Sequence, residues 1–211
     1  ENFIFAEVNV LRLLSQNQRV GLMLTKADAI RVLSNILQRY RDGETSQRVA
    51  GVVVVTLLNV RQSDKRVKKS FLDAAVPKRL VQVVKKVNAA RHKRGGAAYN
   101  MEDEGELRLG SYALKLINNL LSNSPDVKEA LSVSCGADLT EVLLEALTPP
   151  PQLGDCKERR VGDYETNAVL AVQTLNQPAQ RDAFIKAGLV SRCCDTLLRR
   201  PFKHCDPHSM F

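Results

Sequence analysis

Four stretches of the chain follow one plan of apolar and polar positions: an amphipathic helix, a short polar link, a second helix ending in a small residue, then a third, apolar helix. They run from Asn9 to Leu37, Gly51 to Val84, Ala113 to Leu147 and Asn167 to Leu198. A small or turn-compatible residue separates the second helix from the third, at Asp28, Ala75, Gly136 and Gly188. Glycine suits that place because a left-handed turn costs it nothing sterically. Pro77, two residues past Ala75, is placed to open the next helix.

The turn positions lie 47, 61 and 52 residues apart, so the second and third intervals must carry insertions. Two candidates are residues 88–106, with paired glycines, blocks of opposite charge and no apolar periodicity, and 148–163, with a triple proline. The expected organisation is a single array of four units, about 5–43, 44–87, 104–147 and 164–200, with loops at 88–106 and 148–163 and a tail at 201–211.

Composition agrees with helix packed on helix. The chain is 44% hydrophobic but only 5% aromatic, without Trp, a poor supply for a β-sandwich. No apolar run approaches the roughly 18 residues that would span a bilayer. The chain opens on Glu1 with no basic segment before its apolar residues, which predicts no signal peptide and a piece of a longer or processed protein. Five cysteines at irregular spacing argue against a disulfide framework and for a reducing compartment, cytoplasm by default with the nucleus as alternative.

The phrase Phe184-Ile185-Lys186-Ala187-Gly188-Leu189-Val190, and the similar Phe71-Leu72-Asp73-Ala74-Ala75-Val76-Pro77, resemble the armadillo repeat. The resemblance covers about residues 6–200, and its motif is degenerate enough to leave a HEAT-like solenoid open. It implies an all-α, right-handed α-solenoid of armadillo/HEAT-like repeats, and a non-catalytic scaffold or adaptor that holds a partner segment on its concave groove. The family's groove Asn falls here at Arg12, Asn59, Asn119 and Thr174. The position one turn earlier, Trp in importin-type members, falls at Val8, Val55, Lys115 and Leu170. Importin-type arrays grip basic peptides with Asn amides and Trp faces. With the Trp positions empty, such a ligand is not expected. Arg12, Asn59, Lys115 and Asn119 are the candidate groove residues. An Asn near a helix end can equally cap or solvate it.

Charge is local. Twelve basic residues lie between Arg61 and Arg94, including Lys65, Arg66, Lys68, Lys69, Lys78, Arg79, Lys85, Lys86 and Arg91, against Asp64 and Asp73 alone. That stretch carries +10 in a chain of +8, so the rest sums to −2. A focused basic patch attracts an acidic partner within roughly 8–10 Å. An acidic protein segment is favoured, as in catenin-type arrays. Nucleic acid, RNA in particular, is the alternative through 61–94, though only Phe71 and Tyr99 could stack on bases. A solvated helix face is the bland alternative. Ser111 to Asp126 also resembles part of the armadillo regulatory region of formins, which gives a further functional alternative.

Nothing points to catalysis. The histidines are His92, His204 and His208, and no nucleophile elbow, P-loop or zinc-protease motif occurs. Cys193, Cys194, His204, Cys205 and His208 could supply zinc ligands, but their spacing fits no common finger and adjacent helical residues diverge by about 100°. No metal or cofactor is expected. Cys135 reads as a buried turn residue, and Tyr164-Glu165 as an acidic helix N-terminus.

Overall fold

The computed structural model describes residues 2–26, 28–60, 65–93, 101–122, 125–148, 158–175, 178–192 and 194. Among them the regular elements are helices, with no strand. They are α1 (Asn2–Ser15), α2 (Gln18–Lys26), α3 (Ala29–Arg41), α4 (Gln47–Asn59), α5 (Lys65–Asp73), α6 (Val76–Lys93), α7 (Met101–Leu121), α8 (Pro125–Ala146), α9 (Glu158–Thr174) and α10 (Pro178–Lys186). Residues 189–192 are helical as well. The protein is all-α.

The helices pack in rows that follow chain order. The first helices α1, α4, α7 and α9 each contact the next, and so do α3, α6 and α8. The short helices α2 and α5 pack on each other, and α5 and α10 both contact α8. The core fills the space between rows with aliphatic side chains such as Leu37, Leu57, Leu80, Leu114, Ile117 and Val142, each at 0% exposure. Each such burial contributes about 1.5–3 kcal/mol, so apolar contact between neighbouring helices is the main stabilising term.

Three of the four expected turns are present. Asp28, Ala75 and Gly188 have φ of 56°, 53° and 88°, the left-handed region. The Ala75 N–H donates to Leu72 O at 2.9 Å and the Gly188 N–H to Ile185 O at 3.0 Å, which closes the preceding helix.

Gly136 departs from the expectation: it lies inside the uninterrupted α8. Leu131, Cys135, Leu139 and Val142 form a buried stripe at helical spacing through this point. A mid-helix glycine costs about 1 kcal/mol, less than that stripe contributes. Cys135 is therefore a core residue of a helix, not of a turn.

Parts of both expected loops are helical. Residues 88–93 extend α6 and 101–106 open α7, while 94–100 lie outside the described residues. Residues 158–163 begin α9, and 149–157, with the triple proline, lie outside them too. Between α3 and α4 the chain turns through Gly43, φ 83°. The Glu44 N–H donates to Arg39 O at 2.8 Å and the Gly43 N–H to Tyr40 O at 3.1 Å, the paired bonds of a Schellman motif. Ser46 then caps α4 by accepting from the Val49 N–H at 3.4 Å.

Candidate functional site

The first-helix row carries the groove positions expected from the sequence, and the fold uses them unequally. The Arg12 Nε donates to Asn9 Oδ1 at 2.9 Å within α1. The Asn59 amide reaches back from α4 to Ser15 Oγ at 3.1 Å and Arg12 O at 3.4 Å. Thr174 Oγ1 donates from α9 to Asn118 Oδ1 at 2.6 Å, and the Asn167 amide to Ser111 Oγ at 2.9 Å. Polar side chains thus tie neighbouring first helices together. Lys115 and Asn119, four residues apart on α7, are exposed to solvent. Val8 is buried, Val55 half-buried and Leu170 exposed. The asparagine that joins α7 to α9 is Asn118, one residue before the expected position.

The basic patch divides in the same way. Arg66, Lys69 and Lys78 are exposed and Lys68 is half-buried. Arg61 and the side chain of Lys65 lie outside the described residues. Arg79 is half-buried and donates through Nη1 to Asn35 Oδ1 at 2.8 Å. Partial burial, and then the nearby positive charge of Arg41, hold the Arg79 pKa below its ordinary value. Arg41 Nη1 in turn contacts Gln82 Oε1 at 3.4 Å, so two guanidinium groups share the α3–α6 surface.

Lys85 is offset by α8. Its Nζ lies 3.2 Å from Asp138 Oδ1 and 4.0 Å from Glu141 Oε2, and the hydrogen bond to Asp138 raises its pKa. Both partners are largely exposed, so the pair contributes little to stability. Lys86 Nζ donates to Tyr40 O at 2.5 Å and lies 4.2 Å from the centre of the Tyr40 ring. The formal +10 of this segment is therefore partly spent inside the molecule. Arg66, Lys69 and Lys78 stay exposed on α5 and α6, while Arg41, beside Arg79, is itself paired with Asp42 at 2.7 Å.

A cleft of about 530 Å³ lies where the N-termini of α1 and α4 meet Tyr40, Lys86 and Glu106. The Arg48 guanidinium covers Phe5 at 4.0 Å. Burial, and then the Glu106 carboxylate, push the Tyr40 hydroxyl pKa up to about 12.

One basic residue is not a surface group at all. Arg91 is buried, donating to Ala146 O at 3.3 Å and Thr148 O at 3.2 Å, the carbonyls at the end of α8. Its guanidinium lies 4.8 Å from the Tyr164 ring centre. Beside it, Asn88 donates to Val142 O at 2.9 Å and accepts from the Tyr164 hydroxyl at 2.7 Å. Tyr164 and Glu165 are buried within α9 and do not form an exposed acidic start. This α6–α8–α9 tie was missed because polar residues occupy core positions, which leaves no apolar periodicity. Only the carbonyls more than fifty residues away explain them.

Among the described residues no cluster of His, Cys, Asp and Glu could hold a metal ion. Cys194 is exposed, while Cys193, His204, Cys205 and His208 lie outside the described residues. Also among the described residues, no helix is long and apolar enough to cross a membrane. No family model, curated protein or solved structure matches the chain in comparison.

Proposed function

We propose that the chain is an armadillo-type α-solenoid, a non-catalytic scaffold that holds an acidic segment of a partner protein. The observation that carries this reading is the order of the rows. First helices contact first helices, third helices contact third helices, and left-handed hinges recur at Asp28, Ala75 and Gly188. Stacked units of this kind present an extended surface, and fold analogy assigns partner binding to it. Lys115 and Asn119 on α7, with Arg66, Lys69 and Lys78 on α5 and α6, supply exposed donors suited to carboxylates.

RNA is the weaker reading. Phe71, the aromatic that could have served base stacking within the described patch, is 0% exposed.

The test is fluorescence anisotropy with a labelled peptide rich in Asp and Glu, set against a labelled single-stranded RNA of equal charge. We expect saturable peptide binding that weakens with salt. The triple change Arg66→Glu, Lys69→Glu and Lys78→Glu should weaken it about tenfold, at up to roughly 0.5 kcal/mol per exposed pair. RNA binding tighter than peptide binding, or no effect of the triple change, would overturn the reading.

A further inference from the structure

Two guanidinium groups converge on Thr148, just past the end of α8. The Thr148 N–H donates to Glu145 O at 3.0 Å, which closes the last turn. Its hydroxyl donates to Leu144 O at 3.2 Å and accepts from Arg192 Nη1. Its carbonyl accepts from Arg91 Nη2 at 3.2 Å. Arg91 belongs to α6 and Arg192 to the helical turn at residues 189–192. One half-buried threonine thus meets cations from two other parts of the fold.

The donors here outnumber the acceptors. Arg91 is 6% exposed, and among the described residues its Nε has no hydrogen-bond partner. An unmatched donor in a buried site is costly, more so on a charged group. A threonine hydroxyl offers one oxygen, and Arg192 already uses it. The carbonyls of Leu144 and Ala146 are drawn in as well, by Arg192 at 2.9 Å and Arg91 at 3.3 Å. What would complete the junction is an anion with several acceptor oxygens, next to the Thr148 hydroxyl.

We propose that Thr148 is a phosphorylation site whose phosphate is received by Arg192 and Arg91. In the transfer, Thr148 Oγ1 attacks the γ-phosphorus of ATP. The bond from that phosphorus to the bridging oxygen of ADP breaks, and the hydroxyl proton passes to the kinase's base. The product carries close to two negative charges and three acceptor oxygens, which suit the paired donors of a guanidinium. The end of α8 opposes a phosphate with about half a negative charge, against the two full positive charges of the arginines. The sequence also suits a kinase that selects a hydroxyl residue followed by proline, because Pro149 comes next. Proline disfavours helix at the residue before it, which keeps Thr148 out of α8. Ser124, before Pro125, is the other such position in the chain and lies outside the described residues.

The test treats the 211-residue chain with a proline-directed kinase and ATP, and maps the product by mass spectrometry. Phosphate is expected at Thr148 in the folded chain, and Thr148→Val should lose that site alone. A phosphorus NMR titration then reads the second ionisation of the phosphate, ordinarily near pH 6. Two cations favour the dianion, so folding should lower that pKa by at least about half a unit relative to the same chain in urea. Arg192→Gln, checked for unchanged helicity by circular dichroism, should recover part of the difference. The phosphorylated chain should also melt about 2–4 °C higher, since the new contacts tie α6 and residues 189–192 to the end of α8. Phosphate on Ser124 but not on Thr148, or none at all, overturns the proposal. A pKa at Thr148 that is the same folded and in urea overturns it equally.

Discussion

Replacing Gly110 with alanine tests whether the α6–α7–α9 junction is as close as the structure has it. Gly110 lies in α7, and a Cβ there would collide with Tyr164 Cε2 and sit 3.1 Å from Cδ2 and 3.0 Å from Val87 Cγ1. The ring has little room to retreat. It is fully buried, its hydroxyl is tied to Asn88 at 2.7 Å, and the Arg91 guanidinium lies against it. Overpacking of this kind costs about 1–3 kcal/mol. Pulling the hydroxyl off Asn88 adds about 1–2 kcal/mol for buried polar groups left unmatched. Against this, alanine gains about 1 kcal/mol over glycine as a helix former. The net expectation is destabilisation by about 2 kcal/mol, a fall of about 4–8 °C in Tm for a chain of this size. Thermal and urea unfolding followed by circular dichroism would measure it. In a Tyr164→Ala background the ring clash is gone and only the contact with Val87 Cγ1 remains, so the same substitution should cost at least about 1 kcal/mol less than in the native background. If Gly110→Ala is harmless in the native background, or costs the same in both, the proposed packing is wrong.

Three further outcomes are expected. Asn88→Ala should cost about 2–3 kcal/mol in urea unfolding, because it removes the buried side chain that accepts from the Tyr164 hydroxyl and donates to the Val142 carbonyl. Ala75→Gly should stabilise by about 0.5–1 kcal/mol by relieving a left-handed φ of 53°, whereas Gly188→Ala, at φ 88°, should destabilise by about 1 kcal/mol. Stability should fall at alkaline pH because the fold keeps a tyrosyl proton that the unfolded chain sheds. The Tyr40 contribution is fully present below pH 10 and is lost progressively from about 10 to about 12. Tyr164, whose pKa burial also raises, acts in the same direction. Tm measured from pH 8 to 12 should drop less steeply in Tyr40→Phe than in the native chain.

The candidate site was only partly legible because charge in sequence is not charge at a surface. Lys78 and Lys85 look alike in a list of basic residues. Both stay exposed, but the second is paired with Asp138 on α8. Arg91 looks like a further member of the patch until α8 ends beside it and presents its last carbonyls. Likewise the groove position at Asn59 is occupied by contacts to α1, and Asn119 is exposed where Asn118 does the joining.

By itself the sequence determined that this chain is helical and where three of its hinges fall. Helical period and turn chemistry are local, acting within four or five residues, and Asp28, Ala75 and Gly188 carry that information in place. Tertiary structure decided whether a local cue is obeyed. Gly136 stays inside α8 because a buried stripe on both sides of it outweighs the cost of one glycine. It also decided which polar residues enter the core, since Asn88 and Tyr164 are buried where a distant carbonyl and each other's side chains satisfy them, and Arg91 where its two terminal nitrogens reach the end of α8.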